Sequence, residues 1–245
     1  TIFVDYNDNG QLDTGEPSDV TDANGDYLIT GIVPGSFTVR EVLQSGWMCS
    51  YPNPGTPNAI TGTVVSSDCT YAETFQSGVP ETGNDFGNWS TTTKAGTKYH
   101  DLNADGVISG DPGLAGWTIY VDYNDNGILD GEEPSDVTDT NGDYLIEGVF
   151  PGTHTVREVA QTDWTCSYPN PGAADAMGLV TSTDCTYSEN FQSRVPETGN
   201  DFGNWTFATK AGTKYLDNDG DGGFDSPLSG YTIYVDSNDH GSHAA

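Results

Sequence analysis

Gly116-Trp117-Thr118-Ile119-Tyr120-Val121 runs directly into Asp122-Tyr123-Asn124-Asp125-Asn126-Gly127-Ile128-Leu129-Asp130-Gly131-Glu132-Glu133. The first six residues alternate and are rich in β-branched side chains, the pattern of a strand with one buried face. The next twelve place Asp122, Asn124, Asn126, Asp130 and Glu133 at positions 1, 3, 5, 9 and 12. Gly127 permits a sharp turn, and Ile128 can turn its carbonyl inward. Such spacing suits a hard cation that takes roughly six to eight oxygens, because alternate residues of a curling loop point inward and a last carboxylate closes the shell. The same series recurs as Asp5, Asn7, Asn9, Gly10, Gln11, Asp13 and Glu16. A tight Asn-Gly turn with solvated acids is the simpler alternative; two complete copies favour calcium as the cofactor, several ions per repeat. A helical calcium hand is excluded, since a strand pattern precedes the loop and Pro134 with another short strand follows it.

The formal charge is −30 over 245 residues, and 34% of the residues are hydrophobic. Nucleic acid and anionic membrane would repel such a chain. No apolar run approaches the ~20 residues of a spanning helix. Carboxylates crowded into loops call for cations, so metal binding and stability are expected to be linked. Cys49, Cys69, Cys166 and Cys185 allow three connectivities, of which duplication favours Cys49–Cys69 and Cys166–Cys185. Disulfides imply an oxidising, extracellular setting. The chain opens at Thr1 without a signal sequence, as expected of a processed product or a window on a longer polypeptide.

Internal repetition decides the architecture. Thr1 answers to Thr118 and Cys49 to Cys166, 117 positions apart, and Lys94 answers to Lys210, 116 apart. The chain therefore divides into a repeat lacking its first strand (1–93), a complete repeat (94–209) and the first strands of a third (210–245). In the complete unit, strands are expected at Ala95 to Asp101 (A), Ala115 to Asp122 (B), Ser135 to Thr138 (C) and Tyr144 to Val149 (D). His154 to Val159 (E), Cys185 to Phe191 (F) and Asn200 to Phe207 (G) complete the set. Seven short strands with turns between them predict an all-β fold, a tandem transthyretin- or immunoglobulin-like β-sandwich.

A second acidic loop lies between strands A and B, with Asp101, Asn103, Asp105, Gly106, Ser109 and Asp111, but Pro112 stands where a closing Glu is due. The third repeat rewrites it as Asp217, Asp219, Asp221, Gly222 and Asp225. Asp236, Asn238, His240 and Gly241 begin one more copy of the B–C loop. Asn88-Trp89-Ser90 and Asn204-Trp205-Thr206 are N-glycosylation sequons. His100, His154, His240 and His243 are scattered, and no Ser, His and Asp grouping recurs, so no enzyme is expected.

GTKYHDLNADG, GLAGWTIYVDYNDNG, PSDVTDTNGDYLIEG and PGTHTVREV resemble the B-type repeats of serine-aspartate-repeat surface proteins, a branch of the collagen-adhesin B-like domains. The resemblance implies calcium-binding β-sandwiches stacked into stiff stalks on cell walls, with partners that are neighbouring repeats or further copies joined end to end. It also implies a self-forming isopeptide bond, for which Lys98, Glu158 and Asp201 occupy roughly the matching strands. The A–B loop of one unit is expected to face the B–C loop of the next. The rival reading is an adhesin that uses Tyr168, Pro169, Pro171 and Met177 of the disulfide-tethered loop to contact a host, matrix or glycan ligand.

Overall fold

The computed structural model describes residues 1–236, so the loop copy that continues through Asn238, His240 and Gly241 lies outside the described residues. The first unit contributes β1 (Ile2–Asp5), β2 (Ser18–Asp19), β3 (Gly35–Glu41), β4 (Met48–Tyr51), β5 (Thr70–Phe75) and β6 (Gly87–Trp89). The second contributes β7 (Thr92–His100), β8 (Thr118–Asp122), β9 (Ser135–Val137), β10 (Asp143–Val149), β11 (Gly152–Glu158), β12 (Trp164–Tyr168), β13 (Thr186–Phe191) and β14 (Phe202–Thr206). A small hairpin of β15 (Tyr215–Leu216) and β16 (Ser226–Pro227) follows. No helix occurs among the described residues.

In the second unit the sheet β13-β11-β8-β9 faces the sheet β10-β7-β14-β12. Ile119, Val121, Val156 and Phe191 from one layer meet Tyr144, Ile146, Val149 and Phe202 from the other in a single buried cluster. The period of two predicts this division: along β10, Tyr144 and Ile146 are buried while Leu145 and Glu147 face water. A bulge between Ile146 and Val149 then turns Val149 back into the core. Strands A to G correspond to β7, β8, β9, β10, β11, β13 and β14. An eighth strand, β12, was not legible; it pairs with β14 through a register shift beside Cys166.

Strand β7 lies between two partners, antiparallel to β10 and parallel to β14. The first unit has the sheet β2-β1-β3-β5 and a separate β4-β6 pair. Its segment Tyr27–Ile32, the counterpart of β10, is not in a strand. Both disulfides form within their units, Cys49–Cys69 and Cys166–Cys185, and each closes the Pro-rich loop behind β4 or β12.

Only Ser90 and Thr91 separate β6 from β7, and Ser90 and Thr92 are buried. The Ser90 N–H donates to Ser193 Oγ at 2.9 Å, and Thr92 Oγ1 donates to the Val195 carbonyl at 2.6 Å. Trp89 meets Phe150 edge to face at 5.5 Å between ring centroids, Arg194 lies over Trp47, and Ile60 packs on the second core. Glu132 of the B–C loop lines the same junction as Met48, Thr61 and Trp89 of the first unit. The A–B loop lies against the second disulfide-tethered loop, where the Val180 N–H donates to the Ala104 carbonyl at 2.8 Å.

The layer assignment is testable on one strand. Ile146→Ala, at a fully buried position, should lower the unfolding free energy by about 2–5 kcal/mol, and Leu145→Ala by no more than about 0.5 kcal/mol, in chemical denaturation.

Candidate functional site

The B–C loop is held in its curled form by its own backbone. Asp122, 1% exposed, accepts the N–H of Asn126 at 3.2 Å and that of Gly127 at 2.8 Å. Glu133 accepts the N–H of Tyr123 at 2.8 Å and that of Asp130 at 3.0 Å, tying the loop's end to its start. Asn124 Nδ2 and Asn126 Nδ2 both reach Asp130 Oδ2 at 2.9 Å, so the side chains of positions 3, 5 and 9 converge. Asp125 and Gly127 adopt φ of 56° and 75°, the left-handed turn the spacing requires. Ile128 projects outward, so only its carbonyl is available to a ligand.

The loop of Asp5 to Glu16 repeats this geometry. Asp5 accepts from Asn9 and Gly10, Glu16 accepts from Tyr6 and Asp13, and Asn7 and Asn9 reach Asp13. The Gln11 N–H donates to Asn9 Oδ1 at 2.8 Å. An arginine braces each loop: Arg40 pairs with Asp5 and Asp8, Arg157 with Asp122 and Asp125. Burial would raise the Asp5 pKa, but the Gly10 N–H and the Arg40 guanidinium together pull it below the usual carboxylate range.

In the A–B loop, Asp101 accepts from Asp105 and Gly106, Asn103 Nδ2 reaches Asp105 Oδ2 at 2.8 Å, and the Leu102 N–H points to Asp111 Oδ1 at 3.4 Å. Asp111 thus stands where Glu133 stands in the other loop, accepting from the loop's second residue, and the expected acid at position 12 is supplied one residue early. Its Oδ2 is buried without a protein partner, which suits a bound cation. Asp225 accepts likewise from the Asn218 N–H, and carboxylate oxygens of Asp217, Asp219 and Asp225 lie within 4.8 Å of one another. Asp221 accepts the Gly223 N–H at 2.7 Å, as Asn126 accepts that of Ile128.

The isopeptide expectation is corrected by the register of β14. Lys98, 0% exposed, donates to Glu158 Oε2 at 2.6 Å and to Asn204 Oδ1, while Asn204 Nδ2 donates to Glu158 Oε1 at 2.7 Å. Asp201 takes no part; it accepts the Thr97 N–H at 2.8 Å. Parallel pairing of β7 with β14 brings Asn204, not Asp201, to the inner face beside Lys98. Burial lowers the Lys98 pKa to about 8, the nearby Glu158 opposing that shift. Lys94, equally buried on the same strand, has no protein hydrogen-bond partner; burial lowers its pKa against the pull of Glu189, Glu197 and Asp201.

At Asn204 the glycosylation expectation is corrected by the same register. Asn204 is 2% exposed and its amide is enclosed by Lys98 and Glu158, which leaves no room for a glycan in this fold. Asn88 in the first unit gives its amide to both oxygens of Glu41, at 2.9 and 3.0 Å.

These features define a disulfide-bonded β-sandwich module with acidic loops and two buried lysines. No family model matches the chain. Serine-aspartate repeat-containing protein F of Staphylococcus epidermidis is 26% identical over 172 residues, which cover 66% of this chain and 9% of that protein. Colossin-A of Dictyostelium discoideum is 22% identical over 200 residues, covering 74% of this chain and 2% of its own length. The chain thus spans less than a tenth of these curated relatives. The solved structure of GBS52, the minor pilin in the Gram-positive pathogen Streptococcus agalactiae, overlaps 80% of this chain and 70% of its own at 13% identity, with a TM-score of 0.33. With a score that low, the fold rests on the strand order itself. The resemblance to serine-aspartate-repeat proteins read from the motifs stands in the sequence matches.

Truncating one partner of the buried pair should be severe. Glu158→Ala leaves the buried Lys98 amine without its acid and should lower the unfolding free energy by about 3–5 kcal/mol in denaturant titration.

Proposed function

We propose that this chain is a structural module of an extracellular surface stalk or fibre, stiffened by calcium in its acidic loops. The observation that carries the reading is the junction. Two residues connect the units, both flanks are buried, and hydrogen bonds, an aromatic pair and a cation–π contact cross the boundary. A connection so short and so packed holds neighbouring units at a fixed angle, which is what a spacer needs. The first disulfide-tethered loop serves the same end: Ile60 packs on the neighbouring unit and is not presented to a ligand.

In this proposal Asp122, Asn124, Asn126, Asp130 and Glu133, with the Ile128 carbonyl, hold one ion. Asp5, Asn7, Asn9, Asp13 and Glu16, with the Gln11 carbonyl, hold a second. Asp101, Asn103, Asp105 and Asp111 hold a third, and Asp217, Asp219, Asp221 and Asp225 a fourth. The convergent side chains and the orphaned Asp111 oxygen support it. The second unit carries thirteen Asp and six Glu against two Lys and two Arg, a charge that bound ions offset only in part.

A covalent clamp accompanies the ions. Neutral Lys98 Nζ attacks Asn204 Cγ, the Cγ–Nδ2 bond breaks and ammonia leaves. Glu158 passes the proton from the attacking to the departing nitrogen. With a pKa of about 8, roughly a tenth of Lys98 is neutral at pH 7, some hundreds-fold more than for a solvated lysine.

Millimolar calcium should raise the melting temperature by several degrees over chelated protein, at roughly 1 kcal/mol per site, and Glu133→Gln or Asp122→Asn should remove part of that gain. Equal melting with and without calcium, or unchanged small-angle scattering after chelation, would count against calcium stiffening. The clamp is read separately by intact mass, expected lighter by one ammonia and restored to full mass in Lys98→Met. Its formation on refolding should accelerate as pH rises from about 6 to 8, because only the neutral amine attacks.

A further inference from the structure

The Cys166–Cys185 disulfide joins the two sheets of the second unit at one level. Cys166 lies on β12 directly opposite Asn204 of β14. Cys185 immediately precedes Thr186 of β13, which stands opposite Arg157 of β11, and so comes level with Glu158. The bond therefore runs from the strand beside the amide to the strand beside the acid. A carboxylate oxygen of Glu158 and both sulfurs lie within 4.8 Å of one another. That carboxylate is the group that takes both the Lys98 amine and the Asn204 amide.

The first unit builds the same neighbourhood. Cys49 is opposite Asn88, Thr70 is opposite Arg40, and Cys69 precedes Thr70. Cys69 Sγ lies 3.2 Å from Glu41 Oε1, and the Glu41 carboxylate takes the Asn88 amide. Acid, amide and disulfide thus recur as one set, with sulfur against the acid in both units.

Without the bond, little holds these strand ends in place. β12 is the end strand of its sheet, with β14 as its one neighbour, and its register shifts between Cys166 and Tyr168. Glu158 is the last residue of β11. Strand ends with so few partners open locally at low cost, and the disulfide fixes both. Beside it a cleft of 210 Å³ is lined by Glu158, Cys166, Cys185 and Asn204, which gives a departing ammonia its way out.

We infer that the Cys166–Cys185 disulfide is the positioning element of the Lys98–Asn204 clamp, so that oxidation of the thiols sets the rate at which the amide bond closes. The two thiols give two electrons and two protons to an external disulfide, and the new S–S bond holds β12 against the start of β13. Lys98 Nζ then attacks Asn204 Cγ, the Cγ–Nδ2 bond breaks, and ammonia leaves. Such an order keeps a reduced chain free of an irreversible cross-link until it meets an oxidising compartment. The inference rests on the clamp reading and adds its control.

A pH jump on folded protein tests it. The full chain, kept denatured and reduced until use, is folded with glutathione disulfide at about pH 6, where the Lys98 amine is mostly protonated. Half the sample is then reduced with a phosphine, both halves are raised to about pH 8, and ammonia loss is followed by intact mass. Rates are counted per folded molecule by near-ultraviolet circular dichroism, so the readout is the closing step and not folding. The reduced half should close roughly 10–100-fold more slowly, the effect of a small misplacement of reacting groups. Cys166→Ala with Cys185→Ala should slow closure alike. Cys49→Ala with Cys69→Ala, which removes the equivalent bond from the other unit, should leave the rate unchanged. Equal rates with the second disulfide open and closed overturn the inference, as does equal slowing by the two double variants. A parent chain that never loses ammonia overturns the clamp reading itself, and this inference with it.

Discussion

Strand β7 runs between β10 and β14, and the second unit closes around it. A sandwich of this kind has little interior to spare, yet β7 directs two lysines into it. Burying an ammonium is costly unless it is paired, so the neighbouring strands are obliged to bring acids and amides to meet it. Glu158 arrives on β11 and Asn204 on β14, and the contact ties both sheets to one strand.

Much of the fold was legible because it is written in local rules. Alternation along Asp143 to Val149 reports one buried face, and the loop spacing from Asp122 to Glu133 reports a curl whose backbone must donate inward. The hydrogen bonds of four acidic loops follow from those spacings, even where Asp111 arrives a residue early. Strand β12 escaped notice because it straddles Cys166 with a mostly half-buried pattern and borders a Pro-rich loop, so no clean period betrays it. The cysteine pairing was legible from duplication alone.

The errors share one cause. Asp201 and the Asn204 sequon are both judgements about strand β14, whose first four residues are all buried. A stretch buried throughout gives no period from which to tell which side chains face the neighbouring lysine. That assignment depends on the parallel register with β7, a long-range fact set more than a hundred residues away in the chain. A sequon, three residues long, carries even less information about burial. The lysine and its glutamate, by contrast, came from the resemblance, which matches them by strand, and β7 and β11 bring them to the same core.

The parallel pairing of β7 with β14 has a mechanical consequence. Tension on a tandem array enters a unit at the start of β7 and leaves at the end of β14. Because these neighbours point the same way, pulling slides them lengthwise past each other, and their hydrogen bonds and the Lys98–Asn204 contact resist together in shear. Had they been antiparallel, both ends would emerge on one side and the bonds would unzip one at a time. The strand order alone therefore gives the unit its resistance to being drawn out.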